Sequence, residues 1–236
     1  MSHSTWVFPP AETADEHGVV GIGADLEPET ILDGYSQGLF PMPLEAGGPI
    51  AWWSPDPRAI MPLDMHVSRS LKKSMRKFTF TMNHAFGDVM ARCADPGRPH
   101  GWIDSQILAS YTRLHELGWA HSVETWNQAG ELVGGVYGIA IGRFFAGESM
   151  FHSETDASKA ALATLTGILR ENGTALFDVQ WMTPHLASLG AIDLPRSEYL
   201  RLLKTAIALD AVPVAEPGSR IDLSDTANTP KDRSNG

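Results

Sequence analysis

The order of strand-like segments in the second half of the chain constrains its fold more than any other feature. Segments of strand-favouring residues occur at 122–126, 132–139 and 143–148. Short turns that contain Gly join them, and this spacing predicts an antiparallel meander. A helical pattern over 156–170 ends at Asn172 and Gly173 and leads to a further strand over 175–181. Together these segments predict an α+β domain.

The remaining patterns divide the chain into a small first part and a larger second part. Residues 1–56 are rich in Pro and Gly with one helical stretch over 28–37, so we expect a small, loop-rich N-terminal lobe. Residues 57–212 are more regular and should form the main domain. Its other patterns are a strand at 78–82 and helices at 69–77, 86–94, 105–117, 184–189 and 197–207. Residues 213–236 are short of large apolar side chains, so we expect a mobile tail.

Composition limits the class of protein. The chain has 236 residues, of which 43% are hydrophobic and 19% are charged, as in ordinary globular proteins. No apolar run approaches the roughly 18 residues of a membrane span, and the N-terminus lacks the features of a signal peptide, so we expect no membrane partner and a cytoplasmic location. A lone cysteine, Cys93, excludes an internal disulfide, and we assign it no role.

A basic stripe contrasts with the formal net charge of −10, which argues against indiscriminate nucleic-acid binding. Five cations recur at the spacing of one helix face without an intervening acidic residue: Arg69, Lys72, Lys73, Arg76 and Lys77. The opposite face carries apolar residues: Val67, Leu71, Met75 and Phe78. We call the five cations the basic stripe and predict that it binds an anion.

Three polar residues lie within strand-like sequence. Asp178 and Gln180 share one face of their strand at period two, and Glu148 ends the strand at 143–148. Apolar neighbours should occupy the other face of the later strand: Phe177, Val179 and Trp181. Polar residues are depleted in strands, so this convergence indicates a functional site.

The order of elements resembles that of acetyltransferases, which raises a coenzyme A enzyme as one alternative. Such enzymes hold pyrophosphate on a basic, Gly-rich turn, whereas residues 150–156 are acidic and lack glycine. A hydrolase built on Ser149 would want a second glycine two residues after the serine, where Phe151 stands. A peptide- or RNA-binding module without catalysis is a third alternative. We find no metal-ligand spacing and no phosphate loop.

A series of short motifs then resembles the bacterial leucyl/phenylalanyl-tRNA-protein transferase family. The motifs follow one order between about Gly21 and Leu203: 52–58 (WWSPDPR), 68–70 (SRS), 82–86 (MNHAF), 101–103 (GWI), 114–118 (LHELG), 134–138 (GGVYG), 147–151 (GESMF), 157–159 (ASK) and 188–191 (SLGA). The resemblance implies a small N-terminal domain on an acetyltransferase-like (GNAT-like) C-terminal domain.

The resemblance also implies a reaction and its partners. A Leu, Phe or Met residue would pass from aminoacyl-tRNA to the α-amine of a protein that begins with Arg or Lys. Because an aminoacyl ester is already activated and an α-amine has a pKa of about 7.7 to 8.0, no ATP, metal or other cofactor is needed. Much of the catalysis can come from positioning.

The resemblance assigns residues to each part of this site. It places Glu148, Asp178 and Gln180 at the reacting centre, where Asp178 could accept the amine's proton and Gln180 could only orient the nitrogen. It puts the donor side chain in an apolar pocket of Val136, Phe145, Leu162, Leu165, Leu169 and Phe177. Trp102 would stack on the terminal adenine, with Met42 at the position of a second adenine contact. The basic stripe would then bind tRNA phosphates.

Overall fold

A computed structural model describes residues 4–95, 97, 101–211, 214 and 220–221. It shows a mixed α+β architecture with a small region at the N-terminus and two sheets. The helices are α1 (Pro28–Ser36), α2 (Arg69–Met75), α3 (Phe86–Cys93), α4 (Ser105–Glu116), α5 (Ala157–Glu171), α6 (Pro184–Ser188) and α7 (Arg196–Ile207), with a 3-10 turn at Ala11–Thr13. The strands are β1 (Val19–Ile22), β2 (Phe40–Pro43), β3 (Ile50–Trp53), β4 (Arg58–Ile60), β5 (Thr79–Met82), β6 (Ala120–Trp126), β7 (Leu132–Ile141), β8 (Phe144–His152), β9 (Leu176–Gln180), β10 (Ile192–Leu194) and β11 (Arg220–Ile221).

The N-terminal region contains a three-stranded antiparallel sheet in the order β1-β3-β2. The sequence did not predict this sheet. These strands are four residues long, and Pro41 and Pro43 fall in β2, so strand propensity gives little signal. The indole of Trp52 is buried against α1, where a Cβ on Gly34 would lie 2.4 Å from its ring. Glycine at position 34 thus permits this contact.

The second sheet has eight strands in the order β10-β4-β9-β8-β7-β6-β5-β11. Strands β6, β7 and β8 pair in antiparallel register, which confirms the predicted meander. Helix α5 then crosses the sheet and returns the chain to β9, which pairs with β8 in parallel. Strands β4 and β10 extend the sheet beyond β9, and sequence analysis missed both because each is three residues long.

Helix α2 is amphipathic, as predicted. The side chain of Ser68 caps it by accepting a hydrogen bond from the Leu71 amide, which satisfies a free amide of the first turn. Leu71 and Phe78 are buried in one apolar cluster, against which Val67 and Met75 pack. All members of the basic stripe are exposed. The helix ends at Met75, so Arg76 and Lys77 lie just beyond it.

The other predicted helices and strands are confirmed within a few residues of their expected ends. Most of the expected tail, 213–236, lies outside the described residues. Of its described part, Val214 is 8% exposed, and Arg220 and Ile221 pair with β5. Over the described ranges, the helices are all too short or too polar to cross a lipid bilayer.

Candidate active site

The site begins where strands β8 and β9 separate. Their parallel pairing ends with Ala146 opposite Asp178, although β8 continues to His152. In the β7–β8 ladder, Tyr137 pairs with Ser149 and Gly138 with Gly147, which leaves Glu148 as the extra residue of a β-bulge. A bulge redirects a side chain out of the regular alternation. The carboxylate of Glu148 therefore lies just past the point of divergence.

A second bulge lies on β9, next to the same gap. Ala59 pairs with Gln180 and Ile60 pairs with Asp178, so Val179 is the extra residue. Gln180 ends the strand in the left-handed region with φ of 65°, an uncommon conformation for a residue other than glycine. Such a conformation persists only where neighbouring contacts enforce it. The two bulges together bring Glu148 and Gln180 to one place.

The gap opens into a cleft of about 590 Å³. Its lining residues come from the small sheet, from β8 and β9, from the end of α3, from the loops before α4 and α6, and from α6 itself: Phe40, Pro41, Met42, Cys93, Gly101, Trp102, Glu148, Ser149, Val179, Gln180, Trp181, Thr183 and Leu186. Four residues that the resemblance assigned to the reacting centre and to adenosine, Glu148, Gln180, Trp102 and Met42, are thus on the wall of one cavity. Its volume suits a ligand of nucleoside size.

Glu148 accepts a set of hydrogen bonds from neutral donors. The hydroxyl of Tyr35 donates to its Oε1 at 2.7 Å, and the Gln180 Nε2 donates to the same oxygen at 3.1 Å. The hydroxyl of Tyr111 lies 3.3 Å from Oε2 and 2.8 Å from the hydroxyl of Tyr35. Burial raises the pKa of Glu148 to about 7; the donors oppose this rise and the negative charge of Asp178 adds to it. Glu148 can therefore exchange a proton near neutral pH.

Asp178 is fully buried and does not line the cleft. Arg58 binds it in a two-pronged ion pair, with Nε 2.9 Å from Oδ1 and Nη2 2.6 Å from Oδ2. The hydroxyl of Tyr199 donates to Oδ2 at 2.9 Å, and the amide of Gln180 donates to Oδ1 at 2.9 Å. Burial lowers the pKa of Arg58, but the Asp178 carboxylate together with Tyr199 and Tyr35 outweighs it and leaves the pKa above its ordinary value. Both oxygens of the Asp178 carboxylate are thus bonded by groups of the protein.

The face assignment from sequence was partly wrong. Asp178 and Gln180 do lie together, and Phe177 and Val179 join one apolar cluster. Trp181, however, leaves that face and packs its ring against those of Phe40 and Trp53, at centroid distances of 4.8 and 5.7 Å. The bulge at Val179 and the left-handed Gln180 break the period of two, which explains the change.

The six residues of the expected donor pocket lie together in one apolar cluster: Val136, Phe145, Leu162, Leu165, Leu169 and Phe177. Their exposures are between 1% and 3%, and none of them is on the wall of the cleft. Val179 and Leu186 belong to or pack on this cluster and also line the cleft. The structure therefore brings the six together next to the cleft, as close-packed core, and their role as a pocket stays a prediction.

Sequence reasoning did not single out four residues that hold the centre: Tyr35, Arg58, Tyr111 and Tyr199. Arg58 does fall in the 52–58 motif, which was the one available signal. The partners of these residues lie between 20 and 141 positions away in sequence, so no local pattern connects them. Among the described residues, no group of three His, Cys, Asp or Glu side chains is placed to hold a metal ion.

Comparison with known proteins identifies a family that covers most of the chain. Residues 59–204 match the family model described as leucyl/phenylalanyl-tRNA protein transferase, and residues 24–56 match the model of that family's N-terminal domain. A protein of that name from Shewanella pealeana is 48% identical over 210 residues, which cover 86% of this chain and 88% of the relative. One from Shewanella oneidensis is 48% identical over 219 residues, covering 90% and 92%.

The chain therefore belongs to the leucyl/phenylalanyl-tRNA protein transferase family. Membership makes it an aminoacyltransferase. Among solved structures, that of L-PGS from Bacillus licheniformis is 11% identical and matches with a TM-score of 0.40. The match covers 77% of this chain and 70% of that one, and it is too distant to inform the fold.

Proposed function

We propose that this aminoacyltransferase moves leucine, phenylalanine and, less readily, methionine from aminoacyl-tRNA to the α-amine of proteins that begin with Arg or Lys. The added residue would mark the acceptor for degradation by the N-end rule. The observation that carries the proposal is the cleft, in which an ionisable carboxylate, Glu148, and an amide, Gln180, share the wall with Trp102. The family's name supports the donor and the class of acceptor.

The reaction is the aminolysis of an ester. The acceptor nitrogen forms a bond to the ester carbonyl carbon, the bond from that carbon to the tRNA ribose oxygen breaks, and the released oxygen takes a proton. The nitrogen must lose one proton in return. An activated ester needs no further energy source, so the protein's task is to align the amine and to handle this proton.

Glu148 is the best candidate for the proton acceptor. It lies on the wall of the cleft, and its pKa of about 7 is close to the 7.7 to 8.0 of an α-amine, so transfer between the two is nearly balanced. Its charge would also attract a cationic N-terminus. Asp178 is closed off by Arg58 and Tyr199, and we infer that it acts by holding Gln180.

Gln180 would orient the attacking amine. One hydrogen of its amide is used on Glu148, so the amide oxygen can accept a hydrogen bond from the incoming nitrogen. The two side chains then contact one another and the same substrate group. This arrangement aligns the nitrogen with the carboxylate that takes its proton.

The rest of the donor would occupy the cleft and the adjacent core. Trp102 offers a ring on which the terminal adenine can stack, and Met42 offers a thioether on the same wall. The donor side chain would enter the apolar cluster around Leu165, next to Val179 and Leu186. Because that cluster is close-packed, entry requires its side chains to move apart.

The basic stripe would bind phosphates of the tRNA acceptor stem. Its five cations are exposed on α2 and just beyond its end, and the ion pairs found in the described part of the chain involve none of them. Ser74 donates to Asp156 at 2.8 Å and so ties α2 to the start of α5. A local contact of this kind reconciles an acidic protein with a nucleic-acid substrate.

The strand order also supports the acetyltransferase-like (GNAT-like) domain that we propose for residues 57–212, following a lobe at 1–56. Parallel strands β8 and β9, joined by α5, separate to open the cleft, and an antiparallel meander precedes them. An enzyme that uses charged tRNA would work in the cytoplasm, where that substrate is made.

The direct test is transfer without an energy source. The protein is incubated with tRNA carrying labelled leucine and with peptides that differ only in the first residue, in the absence of ATP. We expect extension of peptides that begin with Arg or Lys and little extension of those that begin with Glu or Met. Equal extension of every peptide would refute the acceptor specificity while leaving the transferase activity intact.

Matched variants test the role of Glu148. Glu148→Gln should lower turnover by about 10² to 10⁴, the usual cost of losing a positioned acid-base group. Glu124→Gln is the control, since Glu124 is a buried glutamate bound by the hydroxyls of Thr81 and Ser122 and lies outside the cleft. Equal losses in the two variants would show that burial of a glutamate, and not its position in the cleft, explains the effect.

Paired charge changes test the basic stripe. Replacing Lys72 and Lys73 by Gln should weaken tRNA binding and reduce its salt dependence by about 0.7 to 0.9 log units for each phosphate that the variant no longer neutralises. The same change at Arg201 and Lys204, exposed on α7, is the control. An aminoacyl-adenosine donor has no stem, so neither pair should alter its use. An equal effect of both pairs on tRNA would refute a local contact.

A further inference from the structure

Arg58 lies in the only ion pair of the described residues whose two side chains are both fully buried. We propose that Arg58 is a positioning residue that holds Gln180 and Glu148 in the geometry for transfer. It does not line the cleft, so it acts through its partners. The inference rests on the roles proposed above for the residues of the cleft.

The first connection runs through Asp178. Nε and Nη2 of Arg58 fix both oxygens of the Asp178 carboxylate, at 2.9 and 2.6 Å. The same Oδ1 accepts the amide hydrogen of Gln180 at 2.9 Å, which holds the left-handed backbone of that residue. The side chain of Gln180 then reaches Oε1 of Glu148 at 3.1 Å. The orientation of the amide thus depends on a carboxylate that Arg58 fixes.

The second connection runs through the end of α1. Nη1 of Arg58 donates to the carbonyl oxygen of Gly38 at 3.2 Å, and the amide of Gly38 donates to the carbonyl of Tyr35 at 3.0 Å. The hydroxyl of Tyr35 donates to Oε1 of Glu148 at 2.7 Å. Both connections therefore end on one oxygen of Glu148.

The geometry requires an arginine. The guanidinium lies between the rings of Phe40 and Tyr199, with centroid distances of 4.7 and 4.5 Å. A planar fork can stack between two rings while it bonds a carboxylate on one edge and a carbonyl on another. A lysine keeps the charge but offers a single nitrogen, so it cannot make both sets of contacts. Phe40 also lines the cleft, so the stack fixes part of its wall.

The experiment is a double-mutant cycle on turnover, using whichever peptide the wild-type protein extends best. Four proteins are compared: wild type, Arg58→Lys, Gln180→Ala and the double variant. Arg58→Lys should lower kcat by about 10²-fold, as expected when a displaced group loses alignment by about 1 Å, with a change in KM below about threefold. In the Gln180→Ala background the same change should lower kcat by less than about tenfold, since its main target is absent.

Two further proteins keep the test decisive. Tyr199→Phe removes one hydrogen bond to Asp178 and should show the same coupling, with a kcat loss of about tenfold, even if Arg58→Lys does not fold. Arg196→Lys is the control, because Arg196 also donates to a carbonyl, that of Ala11, away from the centre. The proposal is overturned if Arg58→Lys and Tyr199→Phe lower kcat by equal factors in both backgrounds, or if KM rises in place of the kcat loss. Because any extended peptide serves as readout, a failure of the Arg or Lys preference would be seen separately.

Discussion

Replacement of Glu148 by Gln should make the protein more stable relative to wild type as the pH rises. The pKa of Glu148 is about 7 in the folded protein, against an ordinary value of 4.5. Its protonated form is therefore the one that the fold favours, and the associated stability is present below pH 4.5 and is lost as the pH rises to 7. The difference corresponds to about 3 kcal/mol of unfolding free energy. A glutamine cannot ionise and escapes this loss.

The assay is urea denaturation of both proteins at pH 5 and at pH 8. The variant's stability relative to wild type should rise by about 2 to 3 kcal/mol from the lower pH to the higher. Any free-energy cost of the new amide beside Tyr111 that does not depend on pH cancels in this comparison, as do the titrating groups that do not interact with Glu148. The refuting result is a difference between the proteins that is the same at both pH values, because Glu148 would then titrate alike in folded and unfolded chains.

Three further predictions concern the centre, the donor pocket and acid stability. Gln180→Ala should lower kcat by about 10² with little change in thermal midpoint, whereas Asp178→Ala should also cost about 3 to 5 kcal/mol of stability, because it leaves Arg58 buried and unpaired; equal thermal midpoints would contradict this. Leu165→Phe should shift donor preference from Phe toward Leu, since the larger ring fills a cluster in which Leu165 is 1% exposed; an unchanged ratio of products would remove it from the pocket. Burial and the charge of His115 lower the pKa of His121 to about 4 from 6.5. As the pH falls from 7 to 4, the unfolding free energy of wild type should therefore decrease by up to about 3 kcal/mol more than that of His121→Gln. An equal decrease in both proteins, measured by urea denaturation, would refute this prediction.

The long elements of the fold could be predicted because each carries its own signal. Helix α5 has an apolar face and a Gly just after its end, and short turns separate β6, β7 and β8. Strands β1, β4 and β10 have three or four residues and are stabilised by pairing with strands that are distant in sequence. Such pairing leaves no periodic trace, so these strands were not expected.

The candidate site also has one part that could be predicted from the sequence and one part that could not. Glu148, Asp178 and Gln180 could be singled out because carboxylates and amides are unusual in strands. Their separate roles could not, because a β-bulge is invisible in sequence, and it is the bulges that turn Glu148 into the cleft and Trp181 away from Phe177. Two carboxylates that look alike in the sequence thus lie in different environments: Glu148 is on a cavity wall, and Asp178 is in a buried ion pair.

That contrast explains how a single centre can carry two carboxylates with different chemistry. Arg58 pairs with Asp178 away from the cleft, whereas Glu148 lies on the cleft wall among neutral donors, and burial raises its pKa to about 7. The negative charge of Asp178 adds to that rise, so Asp178 contributes to the proton affinity of Glu148 as well as to its position. A charged donor to Glu148, for example a second arginine, would lower the pKa of Glu148 and weaken it as a base. The neutral hydroxyls of Tyr35 and Tyr111 therefore fit a residue that must be fixed in place and still accept a proton.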